Sequence, residues 1–472
     1  MLNIVIMAAG KGTRMKSALP KVLHRLAHRS LLHHVLDTAL ALKADRIVTV
    51  TGHGAEAVEA AVRATAPEVR FARQMPQLGT GHAVQQAVPE LTGGDAENGI
   101  TLILNGDTPL IQTGTAQALI DACGGTQLAL LTIVMGREAD AAGLGRIVRS
   151  DRSADAAPSI RAIVEHKDAS PAQRAIVETY TGVMAVPTAH LKQWLSQLKN
   201  DNAQKEYYLT DIVAMAVADG VTVVAAHPGS DTEVLGVNSP LQLADLERRY
   251  QRTRAVALME AGVRLADPAR FDVRGHLECG SDVEIDVNCI FEGCVTLGDN
   301  VRIGPNCFIK NAAIGADTIV AAFTHIDGET LGVKVGLDAR IGPFARLRPG
   351  AELGDEVHIG NFVEVKNSSL GKGAKANHLA YLGDATVGER VNFGAGSITA
   401  NYDGANKHRT VIGADVHVGS NCVLVAPVSL GAGATIGAGS TVTKDAPAAA
   451  LTVARGKQVT LSSWVRPVKK LG

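Results

Sequence analysis

The strongest constraint on the fold lies beyond residue 262, where aliphatic residues recur at every sixth position. Val335, Ile341, Leu347, Leu353, Ile359 and Val365 form one run, and Ile412, Val418, Leu424, Leu430, Ile436 and Val442 form another. Glycine follows most of them. A six-residue repeat of a buried aliphatic with a following glycine is the pattern of a parallel β-helix, in which each short strand is one face of a coil. Aromatic residues make up only 3 % of the chain, which suits a narrow interior. The repeat is interrupted from Thr399 to Val411, where Asn401-Tyr402-Asp403-Gly404-Ala405-Asn406 is rich in turn formers, so a loop is expected to protrude there. Loops on a rigid scaffold tend to carry function.

The first 240 residues follow a different rule. Short apolar runs (Ile47 to Val50, Thr101 to Leu104, Leu128 to Val134, Val221 to Ala225) alternate with helix-like stretches such as Leu31 to Leu42, which argues for a mainly parallel sheet wrapped by helices. Between the halves, Ser239-Pro240 offers an N-cap and a first-turn proline, and Leu243, Leu246, Tyr250 and Ala257 keep helical spacing up to Gly262. The expected organisation is therefore a domain over 1–240, a linker helix over 241–262, a β-helix over 263–455 and a tail over 456–472. The tail ends in the basic stretch Val465-Arg466-Pro467-Val468-Lys469-Lys470, which by itself reads as solvated.

Charge and hydropathy narrow the function classes. A formal net charge of −1 gives no global field for nucleic acid or an anionic membrane, so any nucleotide must be held locally. The longest apolar run, Leu128 to Met135 broken by Thr132, falls far short of the roughly 20 residues of a membrane span. The N-terminus shows no basic region and no cleavage site, and a cytoplasmic enzyme is expected. Cysteines at 123, 279, 289, 294, 307 and 422 form no C-x2-C pair, so free thiols are expected rather than a zinc site.

After the apolar strand expected over Leu2 to Met7 comes Met7-Ala8-Ala9-Gly10-Lys11-Gly12-Thr13-Arg14-Met15-Lys16, which reads as a phosphate cradle. Two glycines and two alanines let backbone N–H groups approach an anion, and Arg14 and Lys21 add fixed positive charge. The spacing fits neither the dinucleotide fingerprint nor the Walker loop, so a third type of nucleotide site is implied. A Gly-rich strand-to-helix turn is also often only a turn, and the rest of the chain has to decide. The run Ile100 to Asp107 is a strand that ends in a carboxylate, and open parallel sheets bind ligands at the carboxyl ends of their strands. Asp107 is then placed to hold a phosphate-bound magnesium, which needs only one or two protein oxygens. The alternative is a turn-capping aspartate. Gln77 to His82 offers amide and backbone groups suited to the edge of a base, although an isolated Gly-Thr-Gly is a weak signal.

In the second half Arg348 and Lys366 stand eighteen residues apart, one coil if each coil has three strands. Stacked on one face they make a reasonable sugar-phosphate clamp, with unrelated surface charges as the alternative. Asn377 to Asp384 adds His378 and Tyr381 beside that face. A lone histidine is more often structural, but acyl transfer to an amine calls for a base near neutrality, and histidine with an ordinary pKa of about 6.5 suits the task.

The loop Gly10-Lys11-Gly12-Thr13-Arg14 with Pro20-Lys21 downstream resembles the sugar-nucleotide pyrophosphorylase family. Taken with both halves, the chain from about Leu2 to Lys470 resembles the family of bifunctional bacterial UDP-N-acetylglucosamine pyrophosphorylase / glucosamine-1-phosphate N-acetyltransferases. The stretches that carry this are Leu19-Pro20-Lys21-Val22-Leu23-His24, Gln77 to Ala83, Ile163-Val164-Glu165-His166-Lys167-Asp168 and Glu206-Tyr207-Tyr208-Leu209-Thr210-Asp211. The resemblance implies an α/β nucleotidyltransferase (Rossmann-like, mainly parallel sheet) followed by a left-handed parallel β-helix of hexapeptide repeats. It implies a homotrimer, UTP and acetyl-CoA as co-substrates, Mg²⁺ as cofactor, and precursor supply for peptidoglycan and lipopolysaccharide.

Residue by residue, the resemblance implies that Met7, Ala8, Ala9, Gly10, Lys21, Gln74, Gly79, Thr80, Asn105, Gly106 and Asp107 hold the uridine nucleotide. Gly145, Glu165 and Tyr180 would hold the amino sugar, Asp107 and Asn238 the Mg²⁺, and Arg14 and Lys21 would offset charge on the leaving pyrophosphate. In the second half His378 would be the general base, with Arg348, Lys366, Tyr381 and Asn392 around glucosamine-1-phosphate, and Ala395, Asn401, Tyr402, Ser420, Ala438 and Arg455 around acetyl-CoA. One departure stands out: where the family reads Glu-x-Asn-Thr-Gly, this chain reads Glu178-Thr179-Tyr180-Thr181-Gly182, so a phenol replaces an amide that contacts the sugar. The segment Asp151 to Ser159 is longer and more polar than the family's usual connection and is expected as a surface loop. Two rivals share the architecture: a single-activity sugar-1-phosphate nucleotidyltransferase with a structural β-helix, and a non-catalytic subunit resembling those of the eukaryotic translation exchange factor. The first has no need of His378 or Arg348, and the second little need of Arg14, Lys21 and Asp107 together.

Overall fold

The computed structural model describes residues 1–91, 98–137, 141–150 and 158–469, so most of the polar segment expected as a loop (151–157) and Lys470 of the tail lie outside the described residues. The chain forms two compact units, Met1–Tyr250 and Gln251–Gly472, and the division falls inside one helix, Pro240–Glu260. Ser239 accepts at that helix's start, from the Gln242 N–H at 3.3 Å.

The first unit is built on a nine-stranded sheet. Its main path runs Val223–Ala226, Leu128–Val134, Glu178–Pro187, Ile100–Asn105, Leu2–Met7, Arg46–Thr51 and Arg70–Arg73. All neighbours on that path are parallel except Glu178–Pro187, which runs antiparallel to both of its partners. Successive side chains of a strand point to opposite faces. Accordingly Ile4 and Ile6 join a core with Leu32, Val35 and Leu36 of the Leu31–Ala41 helix, while Val5 joins the opposite core with Val84, Leu191 and Trp194. With both faces covered, the strand reads as an unbroken apolar run. Met7 pairs with Asn105 at the shared carboxyl end of the two central parallel strands, and the loops that leave there carry Gly10 and Asp107.

One local expectation is corrected. The Gly-rich turn does not enter a helix: two short 3₁₀ turns, Thr13–Met15 and Lys21–Leu23, come first, and the α-helix starts only at Leu31. The backbone is left-handed at Gly12 (φ 59°) and Lys16 (φ 49°), which stops helix propagation. A Cβ on Gly12 would lie 2.6 Å from the Cβ of Lys21, so glycine is needed to let Lys21 fold back over the loop.

The second unit is a parallel β-helix. Its coils pair parallel along the axis, with Val335 beside Leu353, Ile341 beside Ile359 and Leu347 beside Val365, one coil apart. The aliphatics of the six-residue repeat fill one continuous core. A second inward set at the same spacing, Ala339, Ala345, Ala351, Val357 and Val363, lies two residues before it. The corners use left-handed backbone at Asp338, Phe344, Gly350, Glu356 and Phe362, again six apart. The expected interruption is present: after the strand Ile398–Ala400 the next begins at Thr410, and Tyr402 to Lys407 are exposed.

Candidate active sites

In the first unit the two loops at the central carboxyl ends enclose adjoining cavities. One, of about 270 Å³, is lined by Met7, Ala8, Ala9, Gly10, Lys21, Gln74, Gly79, Thr80, Asn105 and Asp107. The other, of about 440 Å³, shares Asn105 and Asp107 and adds Arg14, Gly143, Leu144, Thr181 and Asn238. The backbone makes the close floor: Ala8 N–H donates to Val50 O at 2.8 Å and Gly106 N–H to Met7 O at 2.9 Å. Gln74, 3 % exposed, is turned by donating from Nε2 to Gly79 O at 2.8 Å. Gly79 has φ +112°, and a Cβ there would meet Tyr207 O at 2.6 Å, while Thr80 Oγ1 accepts from Leu209 N–H at 3.1 Å. The stretches 77–83 and 206–211 are therefore one wall. Gln77, whose amide the sequence offered for the edge of a base, lines the first cavity, and so does Glu206, which sequence reasoning did not single out.

Lys21 Nζ sits between two oxygen acceptors: it pairs with Asp107 Oδ2 and donates to Asn238 Oδ1 at 3.1 Å. The two residues assigned to Mg²⁺ therefore already converge on one cation. Among the described residues there is no cluster of three or more His, Cys, Asp or Glu side chains for a metal, which leaves the two-donor arrangement that suits a magnesium carrying waters and phosphate.

Gly145, Glu165 and Tyr180 come together next to the second cavity but do not line either one. A Cβ on Gly145 would lie 3.8 Å from Glu165 Oε1, and Tyr180 N–H donates to Gly145 O at 2.9 Å. Burial raises the Glu165 carboxyl above the usual range, against a 3.0 Å hydrogen bond donated by Thr210. The Tyr180 phenol is buried, and its oxygen has no hydrogen-bond partner among the described residues.

In the second unit Arg348 and Lys366 do stack, and together with Asp384, Asn367 and Lys407 they line a cavity of about 330 Å³. Lys407, which sequence reasoning missed, comes from the protruding loop. Its ammonium beside Lys366, with burial and Arg348, lowers the pKa of Lys366. Three cations therefore face this cavity, beside the carboxylates of Glu329 and Asp384. Asp384, also missed, is 6 % exposed and accepts from Asn367 Nδ2 and Asn401 Nδ2, both at 2.5 Å, which anchors the loop's first residue. No local pattern marked either residue, because each acts across coils. Tyr381 stands one coil above Glu364, and its ring lies over Gly383, where a Cβ would be 2.3 Å from the phenol oxygen. His378 is exposed, and its Nδ1 lies 2.7 Å from Asn361 Oδ1. With Nδ1–H donating there, Nε2 keeps its lone pair.

Four residues assigned to acetyl-CoA form a column on successive coils. Asn421 N–H donates to Ala395 O at 2.8 Å, Gly439 N–H to Ser420 O at 2.8 Å, and Arg455 Nη1 to Ala438 O at 2.7 Å. Asn401 is 8 % exposed at the root of the loop and Tyr402 60 % exposed at its start. Asn392 is not brought to the cation cluster: it stands exposed on the 11-stranded face, between Lys375 and His417, whereas the strand holding Lys366 belongs to the 16-stranded sheet.

Residues 4–262 match the family described as MobA-like NTP transferase domain, and residues 276–311 and 409–444 match bacterial transferase hexapeptide (six repeats). Across the full length the chain is 70 % identical to the "Bifunctional protein GlmU" of Methylibium petroleiphilum, covering 100 % of both chains. It is 67 % identical to the protein of the same name from Polaromonas naphthalenivorans, covering 100 % of this chain and 99 % of that one.

Proposed function

Because the chain belongs to the GlmU family of bifunctional transferases, we propose that the two sites divide its chemistry as follows. The enzyme transfers an acetyl group from acetyl-CoA to glucosamine-1-phosphate and a uridylyl group from UTP to N-acetylglucosamine-1-phosphate, releasing pyrophosphate. The observation that carries the pairing is that one chain holds both the Gly10–Lys21–Asp107 pocket and the Arg348–Lys366–Lys407 cluster.

In the first unit Met7 to Gly10 and Gln74 to Thr80 seat the uridine nucleotide, and Glu165 with the Gly145 backbone receives the sugar. The sugar-phosphate oxygen, already ionised, attacks the α-phosphorus in line, with no covalent enzyme intermediate. Arg14 and Lys21 meet the charge that builds on the leaving pyrophosphate, so the protein's work is positioning and electrostatics. Asp107 and Asn238 would hold Mg²⁺, which supplies charge neutralisation on the phosphates when bound. Lys21, held beside Asp107 and Asn238, faces the phosphates from the same side.

In the second unit Arg348, Lys366 and Lys407 hold the sugar phosphate. The amino nitrogen attacks the thioester carbonyl, His378 Nε2 takes the proton, and the C–S bond breaks to release coenzyme A. Asn361 Oδ1, accepting from Nδ1–H, fixes the tautomer that leaves Nε2 free. The assembly proposed is a homotrimer of left-handed β-helices. It is supported by an exposed apolar ridge on one corner: Phe323, Phe344 and Phe362 are 51 %, 46 % and 56 % exposed, and Leu379, 61 % exposed, adjoins His378. The three rings stack at 5.0 and 5.3 Å. Exposed contiguous apolar surface marks an interface, and a neighbouring copy there would also supply Asn392, which its own chain keeps on another face. The six free cysteines support a reducing, cytoplasmic setting. Among the described residues no helix is long and apolar enough to cross a membrane.

The deciding assay supplies acetyl-CoA and glucosamine-1-phosphate without UTP and follows coenzyme A release, corrected for the protein's own thiols. Release makes the β-helix an enzyme. No release with uridylyl transfer intact would reduce it to a scaffold.

A further inference from the structure

Arg146 is wholly buried, at 0 % exposure, and no carboxylate pairs with it among the described residues. A charge taken out of water must be repaid by hydrogen bonds. Its partners are instead backbone carbonyls: Nη1 donates to Ala141 O and to Leu144 O, both at 2.6 Å, and Nε donates to Arg174 O at 3.3 Å. Nη2 lies 3.4 Å from His166 Nδ1, which must accept, since the guanidinium has no acceptor. Only the planar fork of arginine can serve three carbonyls from one buried position.

Those contacts bind together the pieces that surround the proposed sugar subsite. Ala141 and Leu144 bracket Ala142 and Gly143, and 142–144 form a wall of the 440 Å³ cavity. Gly145, the next residue, closes on Glu165 and accepts from Tyr180 N–H. His166 follows Glu165 directly, so Arg146 touches both the loop and the strand end that carries the carboxylate.

We infer that Arg146 is a positioning residue that clamps the 141–145 loop against Glu165 and so sets the affinity of the nucleotidyl-transfer site for the sugar phosphate. The inference rests on the reading that Gly145 and Glu165 receive the sugar. Arg146 itself touches no substrate.

The test compares Arg146→Lys, Arg146→Met and Glu165→Gln in the full-length protein, with acetyl transfer as an internal check that the chain is made and assembled. Arg146→Lys keeps the charge but loses the fork. It is expected to raise the KM for N-acetylglucosamine-1-phosphate at least tenfold, with kcat within about threefold and the KM for UTP within twofold of the parent, and Arg146→Met to do at least as much. A purely structural role gives a different result, a lower kcat with both KM values unchanged, and that would overturn the inference. So would a sugar-phosphate KM within twofold in Arg146→Lys, or equal rises in both KM values. If Glu165→Gln raises the sugar-phosphate KM and Arg146→Lys does not, only the role of Arg146 fails. If Glu165→Gln leaves it unchanged, the placement of the sugar fails, and the Arg146 inference with it. Should both Arg146 variants misfold, hydrogen exchange on the unaltered protein decides: UDP-N-acetylglucosamine should slow exchange across 141–146 and UTP alone should not. Equal protection by both, or by neither, refutes the clamp.

Discussion

Replacing Tyr180 with phenylalanine should make the first unit more stable and its sugar binding weaker, two effects of opposite sign from one oxygen atom. The phenol oxygen is buried without a hydrogen-bond partner among the described residues. Leaving a buried polar group unsatisfied costs about 1–3 kcal/mol, and removing it without changing the ring's shape recovers part of that. Taking about 1 kcal/mol as recovered, a unit of this size gains roughly 2–4 °C in Tm. The same oxygen stands where the family places an amide that contacts the sugar, so in the complex it is expected to gain the partner it lacks. A neutral hydrogen bond is worth about 0.5–1.5 kcal/mol net, which at about 1.4 kcal/mol per tenfold is roughly a two- to twelvefold rise in the KM for N-acetylglucosamine-1-phosphate. Scanning calorimetry reads the first effect and pyrophosphate release the second, with acetyl transfer unchanged as the reference. A Tm that falls would show that the hydroxyl is satisfied in solution. A Tm that rises while the sugar-phosphate KM stays constant would show that Tyr180 fills the core and touches no substrate.

The other predictions separate the two sites. His378→Ala should lower acetyl transfer by at least a hundredfold and spare uridylyl transfer, and loss of both activities or of neither would contradict the division of labour. Arg14→Ala should lower the kcat of uridylyl transfer and leave acetyl transfer untouched, because the charge it meets is on the leaving pyrophosphate; a change confined to the KM for UTP would place it in ground-state binding instead. Lys366 has its pKa lowered chiefly by Lys407, so any stability tied to it is present above the ordinary lysine pKa and lost as pH falls through the depressed value. A bound phosphate reverses the shift, so binding glucosamine-1-phosphate between those two pH values should take up a proton. Calorimetry in buffers of different ionisation enthalpy checks this, and Lys407→Ala should abolish the uptake. Phe344→Glu should split the proposed homotrimer, as read by light scattering, and depress acetyl transfer more than uridylyl transfer, and an unchanged trimer would refute the ridge as its interface.

What could be read without coordinates was whatever obeys a short period. The β-helix announces itself because Val335 to Val365 must each point inward once per strand, and the central sheet because Leu2–Met7 and Ile100–Asn105, covered on both faces, need apolar residues throughout. The close turn after Leu2–Met7 was legible, but not its two 3₁₀ turns, since those depend on left-handed backbone at Gly12 and Lys16 and on Lys21 folding back nine residues later. Arg146, Asp384 and Lys407 were illegible for a related reason. Each derives its role from partners that no short period predicts: carbonyls and a histidine for Arg146, two asparagine amides for Asp384 and Lys366, two coils back, for Lys407.

The same logic bears on how the second site is completed. Periodicity assigns a residue to a face, and faces divide the sugar-phosphate residues: Arg348, Lys366 and Tyr381 belong to strands of the 16-stranded sheet, whereas Asn392 projects from the 11-stranded one. A rigid coil cannot turn one face toward another, because every strand is pinned by its neighbours above and below. If all four residues contact one ligand, at least one must come from a second copy of the chain. The corner beside His378 is also where exposed aromatic side chains line up coil upon coil, so the surface that calls for a partner lies beside the residue proposed as the base. Acetyl transfer should therefore depend on protein concentration under conditions that dissociate the assembly, and uridylyl transfer, whose assigned residues all lie in Met1–Tyr250, should not.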